Sequence, residues 1–364
     1  MRYAHNIKMA CACMLLAIPF AVTCSSGETA FSESAWKHSV ESTPVSSLYE
    51  RHYNNGRFSN PWMPMDNKSI LSVIGWKLSS SPEYEPEEMK FLPRVVPEAY
   101  RKIVSSKNSM FIVWLGHNTF LIKAAGQYWI TDPIFSERAL VPRRRTPPAI
   151  SLDEARRLPG RINIVITHNH YDHLDEASVK ALPANSRCYV PLGLGEFVKG
   201  LGKSDVVEMD WWDETAPGTG VKLVCLPAQH WSRRVTQGVN TTLWASYLLV
   251  TPELTVYIGG DSGYFIGYRE FGRRFPGIDY ALLPTTAYHP RWFMHYAHMN
   301  VDESLRAFEE LGARYFIPTQ WGTFALGDEP PGYPAIDLER TVRERGLDRG
   351  RFIIPSLGEI ITAR

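Results

Sequence analysis

Eleven residues, VITHNHYDHLD (Val165 to Asp175), limit the folds open to this chain more than any other part of it. They put His168, His170, Asp172 and His173 within six positions, on the heels of the apolar run INIVIT. Turns draw on Gly, Asn, Asp, Ser and Pro for their backbone needs, not on repeated His. Clustered imidazoles beside a carboxylate fit cation ligation instead. Residues two apart in an extended segment share a side, so His168 and His170 can grip one ion. Asp172 and His173 lie beyond it and can face a second, since paired metals in hydrolytic sites stand about 3.5–4 Å apart. Such a cluster needs distant ligands, and two candidates close apolar runs: His230 after VCLPAQ and Asp261 after VYIGG. Alone, His230 reads as a satisfied polar residue and Asp261 as a turn residue. Beside the cluster both read as ligands, and Gly259-Gly260 lets the backbone before Asp261 approach closely.

The surrounding pattern is α/β. FIVWL, TFLIK and YWIT follow one another around tight polar breaks, as a β-meander does. INIVIT is a continuous apolar run suited to a central strand covered on both faces. LDEASVKALP reads as a helix that Pro183 ends, and VDESLRAFEELG as an amphipathic helix with a glycine stop. RCYVP, VKLVCLP, TTLWASYLLV, LTVYIGG, YALLP and ARYFIPT supply further strands. Two packed sheets with helices outside is the expected architecture.

Residues 1–24 read as an export signal: Arg2 and Lys8, a 14-residue apolar run, then Cys24. Cys24 followed by SSGETAFSES fits lipoprotein acylation, while Thr23 where Gly or Ala is usual fits plain cleavage. Either route takes the protein out of the cytoplasm, to the periplasm or to an outer-membrane anchor. Residues 25–56, rich in Ser, Thr and Glu without a sustained apolar period, read as a flexible tether. Residues 57–364 form the main domain, opened by an extension over 57–108. Within that extension ILSVIGWKL reads as a helix packed on the main domain or, alternatively, as one facing a membrane. A net charge of +1 gives no electrostatic case for nucleic acid. Cys188 and Cys225 read as buried strand residues, with one disulfide in an oxidising compartment as the alternative.

The His cluster with its later His and Asp resembles the metallo-β-lactamase superfamily. Within it the chain is similar to the N-acyl-phosphatidylethanolamine-hydrolysing phospholipase D family. The matching stretches are RFSNPW, WLGHNTFLI, TDPIFSERA, THNHYDHLD, VPLGL, MDWWDE, QHWSRR, GDSGY, AYHPRWFM and WGTFAL, ending near SLGE. The resemblance implies an αββα sandwich with two zinc ions at one edge of the sheets. It implies His168, His170 and His230 around the first ion, and Asp172, His173 and Asp261 around the second, with Asp261 bridging. Tyr171 and His298 fall on positions that line the phosphate pocket. The family has His immediately before WGTF, where this chain has Gln320, and Glu where it has His289. Three readings of Gln320 stand open: a weaker amide-oxygen ligand, loss of the second ion, or a relic site.

The expected chemistry is hydrolysis of a phosphodiester by hydroxide generated at the metals, with Asp172 orienting the nucleophile and His298 and Tyr171 hydrogen-bonding. Arg233 and Arg234 after QHW are candidates to receive an anionic head group, as is the more remote Arg143 to Arg145 run. The implied substrate is a phospholipid or another small phosphodiester, met at a membrane surface. A lactone or other carboxylic-ester hydrolase, and a metal-binding protein without turnover, are the alternatives.

Overall fold

The computed structural model describes residues 31–65, 70–78 and 82–362. The proposed export signal and its Cys24 lie outside them. The features below belong to the compact unit Ser32–Arg364.

Six strands open the first sheet in chain order: β1 (Phe111–Gly116), β2 (Thr119–Ala124), β3 (Gln127–Thr131), β4 (Ile162–Val165), β5 (Arg187–Pro191) and β6 (Asp205–Met209). The second sheet holds β7 (Glu214–Gly218), β8 (Val221–Leu226), β9 (Ser246–Val250), β10 (Thr255–Ile258), β11 (Tyr280–Pro284) and β12 (Tyr315–Thr319). The chain then returns to the first sheet as β13 (Ile360–Ile361). Strand order is β13-β1-β2-β3-β4-β5-β6 in one sheet and β12-β11-β10-β9-β8-β7 in the other. Each sheet is antiparallel where tight turns join its strands and parallel where helices cross over.

Both sheets are covered on both faces, which explains why their strands read as unbroken apolar runs. Along β1, Ile112 and Trp114 join the core shared with the second sheet. Phe111, Val113 and Leu115 point the other way, onto a second cluster that includes Ala155, Val179 and Val198 of the outer helices. β4 repeats the device, with Val165 inward and Ile162 and Ile164 outward. Cys188 of β5 and Cys225 of β8 are buried with free thiols. Helix Val301–Leu311 is framed as its sequence implies: Asn300 and Glu303 form a reciprocal capping box, and left-handed Gly312 ends it. The expected αββα sandwich is present.

The tether expected over 25–56 needs correction from residue 33 onward. Glu33–Glu41 is a helix and Val45–Tyr49 a 3₁₀ turn, and Val40 and Leu48 belong to the main core. The Trp36 indole donates to Glu303 (3.0 Å), and the Tyr49 hydroxyl donates to Glu270 (2.6 Å). A two-turn helix shows only Trp36 and Val40 as its apolar face, too few to register as a period. Leu48→Ala should cost about 2–5 kcal/mol by cavity formation, measured by denaturant unfolding. A loss below about 0.5 kcal/mol, the level of an ordinary surface change, would return the segment to a tether.

Candidate metal centre

The strand ends of both sheets converge on one edge of the sandwich. There the chain repeatedly leaves a strand through a left-handed backbone: His117 after β1 (φ 51°), Asp132 after β3 (φ 35°), Gly260 after β10 (φ 61°) and Gln320 after β12 (φ 73°). Three of these four are not glycine, a costly conformation that persists only where surrounding contacts over-determine it. At Gly260 no side chain fits, because a Cβ would stand 2.8 Å from Thr167. That close approach delivers Asp261 to the His cluster.

Two groups of potential ligands result. His168, His170, His230 and Asp261 offer atoms that all lie within 4.8 Å of one another, as do His117, Asp172 and His173. In the first group His170 Nδ1 is 2.9 Å from His168 Nε2 and 3.1 Å from His230 Nε2. Asp261 Oδ2 stands 3.8 Å from His168 Nε2 and 3.4 Å from His230 Nε2. Tetrahedral zinc with nitrogens at about 2.0–2.1 Å separates its donors by about 3.4 Å, so the four atoms have chelate spacing. The other carboxylate oxygen, Asp261 Oδ1, turns to the second group and lies 3.0 Å from His173 Nε2. Asp261 therefore faces both groups, as a bridging ligand must.

Electrostatics agree with this donor chemistry. Burial drives the His168 and His230 imidazoles well below the usual histidine range, and His170 down to about 4. Neutral imidazoles with free lone pairs are what a cation requires. Burial opposes charge on His173 too, but Asp261, Asp172 and Asp132 outweigh it and hold that imidazole well above its ordinary range. Asp261 and Asp172 are pushed up by burial and pulled further down by the surrounding histidines, His173 first, so both are held ionised. Two carboxylates crowd His173 Nε2, Asp261 at 3.0 Å and Asp172 at 3.4 Å, and negative charge so concentrated suits a cation. His173 Nε2 makes no hydrogen bond that would satisfy it otherwise. The residues present fit a pair of divalent ions.

A further shell fixes the rings. His173 Nδ1 is 2.7 Å from Asp132 Oδ2, and His230 Nδ1 is 3.2 Å from the Ala297 carbonyl. Each contact leaves Nε2 for the centre. Asp132 also accepts from Asn118 Nδ2 (2.7 Å), the Thr167 hydroxyl (2.6 Å) and the Thr167 amide (2.7 Å). The early stretch RFSNPW buttresses His230: Asn60 Nδ2 donates to the His230 carbonyl (3.0 Å), and the Trp62 indole donates to Gln229 Oε1 (3.1 Å). His117, Asp132 and Asn60 were missed as site residues by sequence reasoning. The available signal was a lone polar residue at the end of an apolar run, as in WLGH and WITD.

The remaining expected residues fare differently. His298 stands beside the first group, its ring centroid 5.5 Å from that of His230. Tyr171 accepts from the Val235 amide (3.2 Å) and keeps its own proton to donate. Gln320 reaches the centre, but not as the expected ligand. Its amide nitrogen donates to the Gly260 carbonyl (3.1 Å) and to Asp261 Oδ1 (2.6 Å). Two acceptors fix which end of the amide faces inward, so Gln320 steadies the bridging carboxylate and turns no oxygen toward an ion. Arg234, expected to bind a head group, is buried. Its guanidinium donates to the Asn169 and Leu174 carbonyls (2.8 Å each) and to Glu176 (2.7 Å), and lies over the Tyr171 ring. It braces the histidine loop. Arg233 is exposed. In the Arg143 to Arg145 run, Arg144 is largely spent on the Ile134, Ser136 and Thr146 carbonyls.

Fold and centre together define a metal-dependent hydrolase of the metallo-β-lactamase type. A family model for the beta-lactamase superfamily domain matches residues 128–321. The chain is 34% identical over 307 residues to the uncharacterized Mycobacterium tuberculosis protein Rv0906, covering 79% of this chain and 78% of that one. It is 32% identical to N-acyl-phosphatidylethanolamine-hydrolyzing phospholipase D 1 of Caenorhabditis elegans, covering 77% of this chain and 84% of the relative. The chain belongs to the metallo-β-lactamase superfamily and, within it, to the N-acyl-phosphatidylethanolamine-hydrolysing phospholipase D-like family. In fold it is similar to an isothiocyanate hydrolase from Delia radicum gut bacteria, with a TM-score of 0.57 and 18% identity over 70% of this chain and 99% of that one.

Proposed function

We propose that the chain is a zinc-dependent phosphodiesterase of the phospholipase D type, acting on phosphatidylethanolamine-like lipids in a bacterial envelope. The observation that carries the reading is Asp261 with one oxygen toward each ligand group. A carboxylate so placed would help hold one cation in each group, and the pair would supply charge to offset a single phosphoryl group. The relatives named for phospholipase D activity support the substrate class.

Bound there, two divalent cations supply Lewis-acid charge that makes water reactive near neutral pH and offsets charge on phosphoryl oxygens. The protein does the positioning. Asp172 is the carboxylate that reaches the surface, 16% exposed against 5% for Asp261, so it is placed to accept a proton from the attacking water. His298, half-buried beside His230, and the Tyr171 hydroxyl are placed to hydrogen-bond the phosphate. Water attacks phosphorus, the bond to the head-group oxygen breaks, and the departing alcohol takes up a proton. Products are phosphatidic acid and the free head-group alcohol.

A lipid surface is consistent with helix Ile70–Leu78. Trp76 anchors it to Asp328 (2.9 Å) and to the Phe293 ring, while Val73, Ile74 and Leu78 are exposed, as is Trp292 nearby in sequence to His298. No helix among the described residues is long and apolar enough to cross a membrane. Vesicles of phosphatidylethanolamine or its N-acyl form should yield phosphatidic acid, and chelation should lower the rate at least about 1,000-fold, the scale of metal-assisted catalysis. Hydrolysis of lactones with no phosphatidic acid would favour the carboxylic-ester alternative. Metal binding without either product would leave a protein that binds ions and does not turn over.

A further inference from the structure

Gln320 leaves the second ligand group one imidazole short of the family pattern, and its amide is committed to Gly260 and Asp261. The structure brings another imidazole to the same group from the opposite sheet. His117 ends β1 in a left-handed backbone that is fixed on every side. Its backbone N–H donates to Thr323 Oγ1 (2.8 Å), and its carbonyl accepts from the Trp114 indole (2.8 Å) and the Gln320 backbone N–H (3.1 Å). The ring is fully buried, edge-on to both His173 and Phe324, with centroids 5.2 Å away in each case.

Its two nitrogens are placed unequally. Nδ1 lies 3.4 Å from the Gln320 carbonyl, and Nε2 lies 3.0 Å from Asp172 Oδ2. A carbonyl can only accept, so the Nδ1 side calls for the ring proton. Nε2 then presents a lone pair to a carboxylate oxygen, and two acceptors at that distance require a cation between them or a second proton. His230 uses the same arrangement, Nδ1 on a backbone carbonyl and Nε2 toward the centre, and His173 does so with Asp132 in place of the carbonyl. The ligand atoms of His117, Asp172 and His173 all lie within 4.8 Å of one another.

We propose that His117 Nε2 is a protein ligand of the second cation, joining Asp172, His173 and the bridging Asp261, and so supplies the imidazole that Gln320 does not. The inference rests on the two-metal reading given above. It concerns the chain's own donor set and is independent of which substrate is cleaved.

The test is metal counting on the purified full chain, stripped with chelator and reloaded with Co(II), together with the visible d–d absorption. Wild type should bind two ions. His117→Ala should bind one, with affinity for the second weakened by at least about 100-fold, the upper range for losing even an outer-shell partner. Retention of the first ion by that variant shows an intact fold. The double variant His117→Ala/Gln320→His should recover two ions, because it restores the imidazole on the other side. Two ions and an unchanged Co(II) spectrum in His117→Ala would overturn the assignment, as would a wild type that takes only one ion. A two-ion wild type that releases no phosphatidic acid would instead sink the substrate reading and leave the ligand assignment standing.

Discussion

Asp261→Ala is expected to abolish hydrolysis, with a fall in kcat/KM of at least about 10,000-fold, and to leave the chain unable to hold a pair of ions. Its carboxylate turns one oxygen to each ligand group: Oδ2 looks to His168 and His230, Oδ1 to His173. The magnitude follows from what the ions contribute, several kcal/mol of charge stabilisation plus generation of the nucleophile, at about 1.4 kcal/mol per tenfold. Metal analysis of the variant should show at most one ion. The substitution also leaves the Gln320 amide with one buried acceptor instead of two. A variant that keeps two ions and more than about a tenth of the rate would remove Asp261 from the bridging position and with it the two-metal reading.

Asp132→Ala tests the layer behind the ligands. Asp132 is fully buried and accepts from Asn118, from two groups of Thr167 and from His173. Removing it strands those donors where water cannot replace the acceptor, at about 1–3 kcal/mol for an unsatisfied group and more for a charged one. The expected loss is about 3–5 kcal/mol, the scale of breaking a buried charged pair, read from denaturant unfolding of the metal-free protein. Metal affinity should fall about 10–100-fold, because His173 loses the contact that fixes its tautomer. Asp132→Asn discriminates the two effects. It should recover much of the stability through retained hydrogen bonds and less of the affinity, since a neutral amide cannot raise the basicity of His173.

The parts of this architecture that could be read from sequence are those whose chemistry is local. The His cluster announces itself because four candidate ligands, three His and one Asp, fall within six residues, and His230 and Asp261 stand out because each ends an apolar run. The strands were readable because both faces are covered, which forces uninterrupted runs such as INIVIT. Residues that act through three-dimensional neighbours left no comparable mark. His117 sits in WLGHNTF as a single polar residue at a strand break, and only the folded chain brings it to Asp172, 55 positions away. Arg234 looked like an anion receiver because it follows the ligand His230. In the structure its fork geometry serves two carbonyls of the histidine loop, a use that charge patterning does not reveal. Gln320 occupies the position that the resemblance marked, and the hydrogen-bond partners of its amide decided its role.

The origin of the ligands has a mechanical consequence. His168 and His170 follow β4 of one sheet, and His230 and Asp261 follow β8 and β10 of the other. His173 meets Asp261 across the same seam. Loaded, the centre would act as a rivet through both plates, and slippage between them would open the coordination cage before any strand frays. On heating, release of the ions should precede the loss of β-sheet signal, so that the metals report the alignment of the two halves as well as the readiness of the site.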